Sequence, residues 1–379
     1  KARFMSFQII AGANEEIIGV QDSSLSAGGF IFSKNARPIP KITAGFTDYV
    51  AIPSTNEKLL IKGRISHGWF LDDYYLKVTD VLLHHKNLYL KIKGSDYPWW
   101  IEGGLEHFAM WAGKVPGKSY GNVSLVNFIK VFFGKQGGSD ATNADKINAF
   151  GNHMLSQSVK AGAILGDYTV NAYWQNYNED GPMRFFWGAM NKEDGLFGLS
   201  IKNRKGKLIQ GFLYEFFSST DQSGPYHDKD GMIYGGSDNY FSNDYGSWSY
   251  YGRTVGIPFI SSTLYTVVGN EKKIRGNNNL VKAHHFGMEG NLKGFEYRLL
   301  GTYSENYGTP KAPFPFRRRN ASVLCELNRN WGNDFTTSLS LGADYGSMYG
   351  RNYGAMLTLK KSGNLFRMRA PRVVINPLW

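Results

Sequence analysis

Apolar and polar residues alternate along most of this chain with a period of two. Met5, Phe7 and Ile9 are separated by Ser6 and Gln8, and Ile61, Gly63 and Ile65 by Lys62, Arg64 and Ser66. Leu88, Leu90 and Ile92 alternate with Tyr89, Lys91 and Lys93. Ile164, Tyr168, Val170, Ala172 and Trp174 read onto one face, against Asp167, Thr169 and Asn171. Further on, Phe286, Met288 and Leu292 oppose His285, Glu289 and Asn291, and Tyr297, Leu299, Gly301 and Tyr303 oppose Glu296, Arg298, Thr302 and Ser304. Leu339, Leu341, Ala343 and Tyr345 oppose Ser338, Ser340, Gly342 and Asp344. Such alternation predicts β-strands whose two faces meet different surroundings.

The character of the second face decides the fold class. Several runs persist for about 8–10 residues, longer than the roughly 5–6 of an ordinary sandwich strand. Aromatic residues sit towards their ends: Tyr168 and Trp174, Tyr297 and Tyr303, Tyr345 and Tyr353. That is the spacing of an apolar band edged by interfacial aromatics, with the polar face lining a hydrated lumen. The expected fold is all-β: a transmembrane outer-membrane β-barrel of about 16–18 antiparallel strands. It is expected as one domain over residues 1–379, with short helices or loops occluding the lumen.

Two stretches break the period. Between Asn122 and Phe133, apolar residues at 125, 126, 128, 129, 132 and 133 follow helical spacing. Residues 143–159 read as helical less clearly, giving a helical insert near 122–159, at the mouth or inside the lumen. Residues 219–253 form a long polar and aromatic segment, expected as a large loop or lumen insert. The carboxy-terminal residues Val373, Ile375, Pro377 and Trp379 share one parity and read as a terminal barrel strand closing on an aromatic residue. A start at Lys1 fits an amino end that has been processed or trimmed.

Composition narrows the classes. Hydrophobic content is 42%, and no stretch approaches the roughly 20 apolar residues of a membrane helix. A helical membrane protein is excluded, whereas barrel strands are short and half polar. Aromatics make up 15% of the chain, which also has 45 glycines, as girdles and softened strands require. A net charge of +12 favours an anionic partner such as an acidic polysaccharide or lipopolysaccharide phosphate, unless the protein is generically basic. The only cysteine, Cys325, is in phase with Val323 and Leu327 and reads as a small apolar residue.

Catalytic and metal signatures are weak. Residues 112–119 match a relaxed phosphate-loop pattern, but Ala112 stands where the strict form has glycine, and no strand–helix repeats surround it. Asp228-Lys-Asp230-Gly231 begins like a calcium loop, but Met232 replaces an oxygen ligand, so a turn is expected. His84-His85 and His284-His285 are neighbours on strands and point to opposite faces, so neither pair chelates one metal. The reading is non-enzymatic, with no catalytic residues, no metal, no cofactor and no nucleic-acid partner.

Residues 223–253 carry the candidate binding chemistry. They combine aromatic faces, on which sugars stack, with planar polar groups that read hydroxyls. Trp248 and Tyr250 are the stacking candidates, His227, Asp238 and Asn239 the hydroxyl readers, and Tyr240 a further glycan-binding candidate. Arg253 is suited to an acidic sugar through a charge-assisted contact. A lumen insert whose polar groups satisfy one another is the competing reading. Arg317 and Arg318, in the run Arg317-Arg318-Arg319, are either anionic-glycan contacts or part of a solvated basic loop near lipid phosphates.

Several motifs carry a resemblance. They are residues 25–40, with Asn35-Ala-Arg37-Pro38; His84 to Leu90; and residues 102–111, with Gly104-Leu-Glu106-His107. Phe150-Gly-Asn-His153, Gly224-Pro-Tyr-His227, Asp238-Asn239-Tyr240 and Tyr251-Gly-Arg253 continue it. On these residues the chain resembles the Wzi-like capsule assembly family of outer-membrane barrels, in its Bacteroidetes branch. The resemblance is strong over about residues 25–260 and loose elsewhere. It implies a barrel of about 18 strands that anchors capsular polysaccharide at the cell surface as a lectin-like protein, with an occluded lumen. The expected partners are capsular or exopolysaccharide and the lipid and lipopolysaccharide of the bacterial outer membrane. The alternative is an outer-membrane porin for sugars or small anionic solutes.

Overall fold

The computed structural model describes residues 2–71, 77–95, 98–115, 117–138, 149–179, 191, 193–206, 208–222, 227–229, 232–234, 240–243, 245–265, 267–268, 271–272 and 276–363. The first strands are β1 (Ala2–Phe4), β2 (Phe7–Gly12), β3 (Lys41–Ala51), β4 (Leu59–Trp69), β5 (Leu82–Lys93) and β6 (Trp99–Trp111). A small hairpin, β7 (Lys114–Val115) and β8 (Lys118–Ser119), and helix α1 (Leu125–Phe133) come next. β9 (Asn152–Leu165), β10 (Tyr168–Glu179), β11 (Gly195–Asn203) and β12 (Gly211–Ser218) resume the wall. Residues 219–279 carry three hairpins: β13 (His227–Lys229) with β14 (Met232–Tyr234), β15 (Ser249–Tyr250) with β16 (Arg253–Thr254), and β17 (Val267–Val268) with β18 (Glu271–Lys272). β19 (Leu280–Leu292), β20 (Phe295–Thr309), β21 (Ala312–Asn330), β22 (Phe335–Gly346) and β23 (Gly350–Lys361) complete the described wall.

The long strands form one 15-stranded sheet in which each pairs antiparallel with its neighbours in chain order, apart from the inserts. This is an up-and-down barrel wall, in which every long strand finds its partners locally. Among the described residues β1 and β23 are its end strands, and residues 371–379, with the expected terminal strand, lie outside the description. The connections at one end are short: residues 5–6, 52–58, 94–98, 166–167, 204–210, 293–294 and 331–334. At the other end the turns at 310–311 and 347–349 are short, but residues 13–40, 70–81, 112–151, 180–194 and 219–279 are long. Outer-membrane barrels have this asymmetry, with the short turns on the periplasmic side.

The faces of the wall are reversed relative to a soluble protein. Outward-facing Ile65, Leu88, Leu105, Phe197, Leu299 and Leu341 are exposed apolar residues. Trp99, Tyr168, Phe295, Trp331 and Phe335 are exposed at the short-turn end, and Trp69 and Tyr345 at the long-loop end. The inward face is polar towards the short turns. There Glu102 accepts from Tyr49 at 2.9 Å and lies 3.9 Å from Lys91 and 3.7 Å from Lys160. Gly104 leaves room for the inward Tyr89 ring, since a Cβ there would meet the ring at 2.0 Å. Towards the long loops the inward residues turn apolar, with Phe108, Met154, Tyr177, Leu213 and Phe217 all buried. Two loops pack there and fill the lumen.

Several expectations need correction. Ile164 does not share a face with Tyr168: the turn at Gly166 and Asp167 separates their strands, and Ile164 pairs with Thr169 on the inward side. Gly166 takes φ +60°, which a two-residue hairpin favours. Residues 152–159, expected as helical, belong to strand β9, because the run pairs on both edges, with Asn152, Ser156 and Ser158 facing inward and His153 and Gln157 outward. Residues 143–148, the start of that stretch, lie outside the description. The helix at 122–133 does form, capped by Ser124, whose Oγ accepts from the Asn127 N–H at 3.2 Å, and ended by Gly134 at φ 61°. It lies on the outer wall, however, and does not contribute to filling the lumen. The phosphate-loop match is the β7–β8 hairpin. The Arg317–Arg319 run sits in strand β21 rather than in a loop.

The histidine pairs split across the wall as their parity requires. His85 stacks inward on Phe108 with centroids 4.0 Å apart, while His84 faces out beneath α1, 5.6 Å from the Phe128 ring. His285 meets the Leu25 carbonyl at 2.9 Å inside, and His284 meets the Tyr214 hydroxyl at 2.8 Å outside.

Leu341→Arg puts a charge on the apolar outer face and is expected to destabilise the barrel by about 2–4 kcal/mol. Ser338→Arg, three residues away on the inward face, is expected to change stability much less. Denaturant titrations of both variants in detergent check this, and equal losses would mean that both faces are buried in protein.

Candidate functional site

Among the described residues the lumen plug is built mainly from two chain segments, residues 16–39 and 240–265. The first has few regular hydrogen bonds of its own, so the wall satisfies its groups. Glu16 pairs with Lys41 at 3.1 Å and with Arg64 at 3.0 Å. The Phe30 N–H donates to Gln175 at 3.0 Å, and the Ser26 hydroxyl to Glu215 at 2.7 Å. Arg298 donates to the Ser24 carbonyl at 2.8 Å, and Lys202 pairs with Asp22 at 3.3 Å. Each contact is a buried or half-buried polar group matched to a lumenal side chain, so the loop is held from many strands at once.

The second segment packs on the first. The Ser33 N–H donates to the Val255 carbonyl at 2.7 Å, and the Ile257 N–H to the Phe30 carbonyl at 3.0 Å. Asn35 donates to the Thr254 carbonyl at 2.9 Å, and Arg37 lies 4.8 Å from the Tyr251 ring centroid. An aromatic core seals the two: Phe30 stacks on Tyr177 at 5.0 Å, and Phe32 on Phe108 at 5.7 Å. The Asn-Ala-Arg-Pro element thus acts as the clasp between the segments.

This packing decides the fate of the predicted residues. Trp248 is 0% exposed, donates to the Ile31 carbonyl at 2.5 Å and packs against Phe70 and Phe108. Tyr250 is buried against Phe70, and Tyr240 is buried with its hydroxyl donating to the Gln222 carbonyl at 3.2 Å. Their rings are covered by protein and offer no open stacking face. His227 starts the β13–β14 hairpin, in which Lys229 pairs with Met232, and Asp230-Gly231, where a turn is expected, lie outside the described residues. The His227 side chain, Asp238 and Asn239 lie outside the described residues. Arg253 is exposed and donates to the Tyr265 hydroxyl at 3.1 Å. Arg317 pairs with Glu305 at 3.0 Å, and Arg318 lies 4.2 Å from the Phe314 ring, on the extension of the wall beyond the plug.

Between the plug and strands β20–β23 a cavity of about 730 Å³ remains. Its plug side carries Asp22, Ser24, Lys34, Asn35 and Phe259, and its wall side Arg298, Ser322, Asp344, Tyr349 and Asn352. Arg253 is tied to its rim. Tyr265, its hydrogen-bond partner, packs 5.9 Å from Tyr349, whose hydroxyl meets Ser261 at 3.1 Å. Carboxylate, amide and hydroxyl groups beside aromatic rings make a surface suited to reading sugar hydroxyls, with cations at hand for an acidic group. Among the described candidate binding residues none lines this cavity, and Arg253 reaches only its rim, through Tyr265. Asp344 was legible as a lumen-facing position in an alternating strand, but Tyr349 and Asn352 carry no sequence signal, because the β22–β23 turn alone brings them to the plug. Among the described residues no cluster of His, Cys, Asp or Glu is arranged to hold a metal.

No family model matches this sequence, and no curated protein matches it. Among solved structures the fold is similar to that of Wzi from Escherichia coli, an outer-membrane protein involved in group 1 capsule assembly and described as a carbohydrate-binding β-barrel. The TM-score is 0.57 at 12% identity over 93% of this chain. The likeness is one of fold, and the chain spans 66% of the length of that structure.

Asp194 anchors the long insert where it leaves the wall, accepting from the Asp221 N–H at 2.9 Å and from the Ser218 hydroxyl at 3.2 Å. Burial pushes its carboxyl up to about 6, against the pull of these donors. A raised value means that the folded protein favours the neutral acid. The cost of the buried charge is therefore absent below about pH 4, grows between about pH 4 and 6, and is complete above. Asp194→Asn is expected to stabilise the protein at pH 7.5 by up to about 3 kcal/mol and to have little effect at pH 4. Urea midpoints at the two pH values test this, and equal gains at both would refute the buried charge as the cause.

Proposed function

We propose that this protein is an outer-membrane barrel of the Wzi-like capsule assembly type, which holds surface polysaccharide at its long-loop end. The observation that carries the reading is the plug: the two lumen segments are bonded to the wall on many sides and leave a polar, aromatic-edged cavity rather than an open channel. The apolar belt supports a bilayer setting, and the short-turn and long-loop asymmetry supports an orientation with the cavity towards the cell exterior. Likeness of fold to a carbohydrate-binding barrel supports a glycan as the ligand. In this reading Arg253 meets a carboxylate or phosphate of an acidic polymer. Asp344 and Asn352 read hydroxyls, Tyr349 supplies a ring face, and Arg318 adds a cationic contact beyond the rim. Trp248, Tyr250 and Tyr240 contribute by holding the plug.

Arg253→Ala and Asp344→Ala are expected to lower retention of capsular polysaccharide at the cell surface while barrel abundance stays unchanged. Trp248→Ala is expected to lower folded barrel and retained glycan together. Normal retention in both cavity variants would sink the assignment. In planar bilayers the protein is expected to give no steady large conductance, and such openings would favour the porin reading instead.

A further inference from the structure

Helix α1 occupies an unexpected place. At the long-loop end of β4, β5, β6 and β9, outward parity brings His67, His84, His107 and His153 to the outer wall, interrupting the apolar belt. α1 lies over this patch: Phe128 packs 5.8 Å from His67, 5.6 Å from His84 and 6.2 Å from Trp111. His107 and His153 meet at 2.8 Å beneath it. Outward-facing Lys86 donates to the Phe132 carbonyl at the end of the helix, where a cation complements the helix dipole. Val131 and Phe128 join Leu82, Trp111 and Phe150 in a core separate from the plug.

The face that α1 turns away from the wall is apolar. Leu125 is 74% exposed, Val126 63%, Ile129 44% and Phe133 62%. At about 100° per residue these positions form one stripe along the helix. A helix that is apolar on both its packed and its open side does not belong in water. Below it the open stripe continues into the exposed belt residues Trp69, Ile65, Leu88 and Leu105. Residues 112–138 carry Lys114, Lys118, Lys130 and Lys135 and no acidic residue.

We propose that α1 is an interfacial helix lying in the outer leaflet. Its Leu125, Val126, Ile129 and Phe133 stripe sits among acyl chains, and Lys130 and Lys135 sit at the level of anionic lipid phosphates. The proposal rests on the membrane-barrel reading above. The occupant is lipid because the stripe lies beside the exposed belt residues and because the charges of residues 112–138 are all cationic. The helix then has two roles: it shields the outward histidines from hydrocarbon, and it widens the barrel's lipid contact on the β4–β9 side.

The test uses the full chain with Cys325→Ser, carrying a fluorescent label at Ile129→Cys or, as a belt control, at Leu299→Cys. Both are reconstituted in vesicles of phosphatidylcholine and phosphatidylglycerol with brominated acyl chains. Quenching of the Ile129→Cys label to the extent of the control is expected. If the control is quenched while the Ile129→Cys label responds only to aqueous iodide, the interfacial helix is refuted and the barrel reading stands. If neither label is quenched by the brominated lipid, the membrane reading falls and the proposal with it. Lys130→Gln with Lys135→Gln is expected to raise iodide access to the label at position 129 in these anionic vesicles, and no change would overturn the phosphate contact.

Discussion

A wall one strand thick has no interior of its own. Its backbone groups are satisfied sideways, strand to strand, and this ladder fixes which way every side chain points. Here the ladder runs through 15 strands with few register shifts, so parity set at one pair carries across to the next. Everything else in the molecule follows from what each face then meets. The outward parity is apolar because no polar group of the wall needs to reach that side. The inward parity must be satisfied by neighbours, by water or by a plug.

The plug solves the inward problem in two ways along the barrel axis. Near the short turns the inward residues are charged and pair among themselves, as Glu102 does with Lys91 and Lys160. Near the long loops they are apolar or amide-bearing and are covered by residues 16–39 and 240–265. The first of these segments lacks regular structure and is buried or half-buried over most of its length. It therefore depends on Gln175, Glu215, Arg298 and His285 as much as they depend on it. The same mutual dependence explains why the aromatic residues of the second segment are buried. They are the apolar mass that makes the plug a packed body, and the groups left to face a ligand are those at its edge.

The outer wall has the opposite problem where His67, His84, His107 and His153 face out. Polar side chains on a hydrocarbon-facing surface are costly, and a covering helix removes them from that surface. Burial along the upper halves of β5, β6 and β9 is complete on both sides for this reason, with the plug within and α1 without. The helix thereby replaces a polar patch with Leu125, Val126, Ile129 and Phe133, and the apolar belt is restored one layer further out.

The sequence by itself determined the strands, their length and their two faces, because a period of two is a local property and survives in any context where one face differs from the other. It also determined α1, through helical spacing, and the splitting of each histidine pair. It did not determine on which side of the wall α1 lies, because an amphipathic stripe fits the lumen as well as the outside; the outward parity of Trp111 and Leu82 decided that. It misjudged Ile164 and residues 152–159, where a two-residue turn and pairing on both edges overrode the local pattern. Aromatic and polar residues in 240–253 read equally as ligand contacts or as core, and only the packing of Trp248 on Ile31, Phe70 and Phe108 separates the two. The cavity itself was invisible in the chain. Arg253, Asp344 and Tyr349 come from segments far apart in sequence, and only the closing of the plug against β20–β23 brings them to one rim.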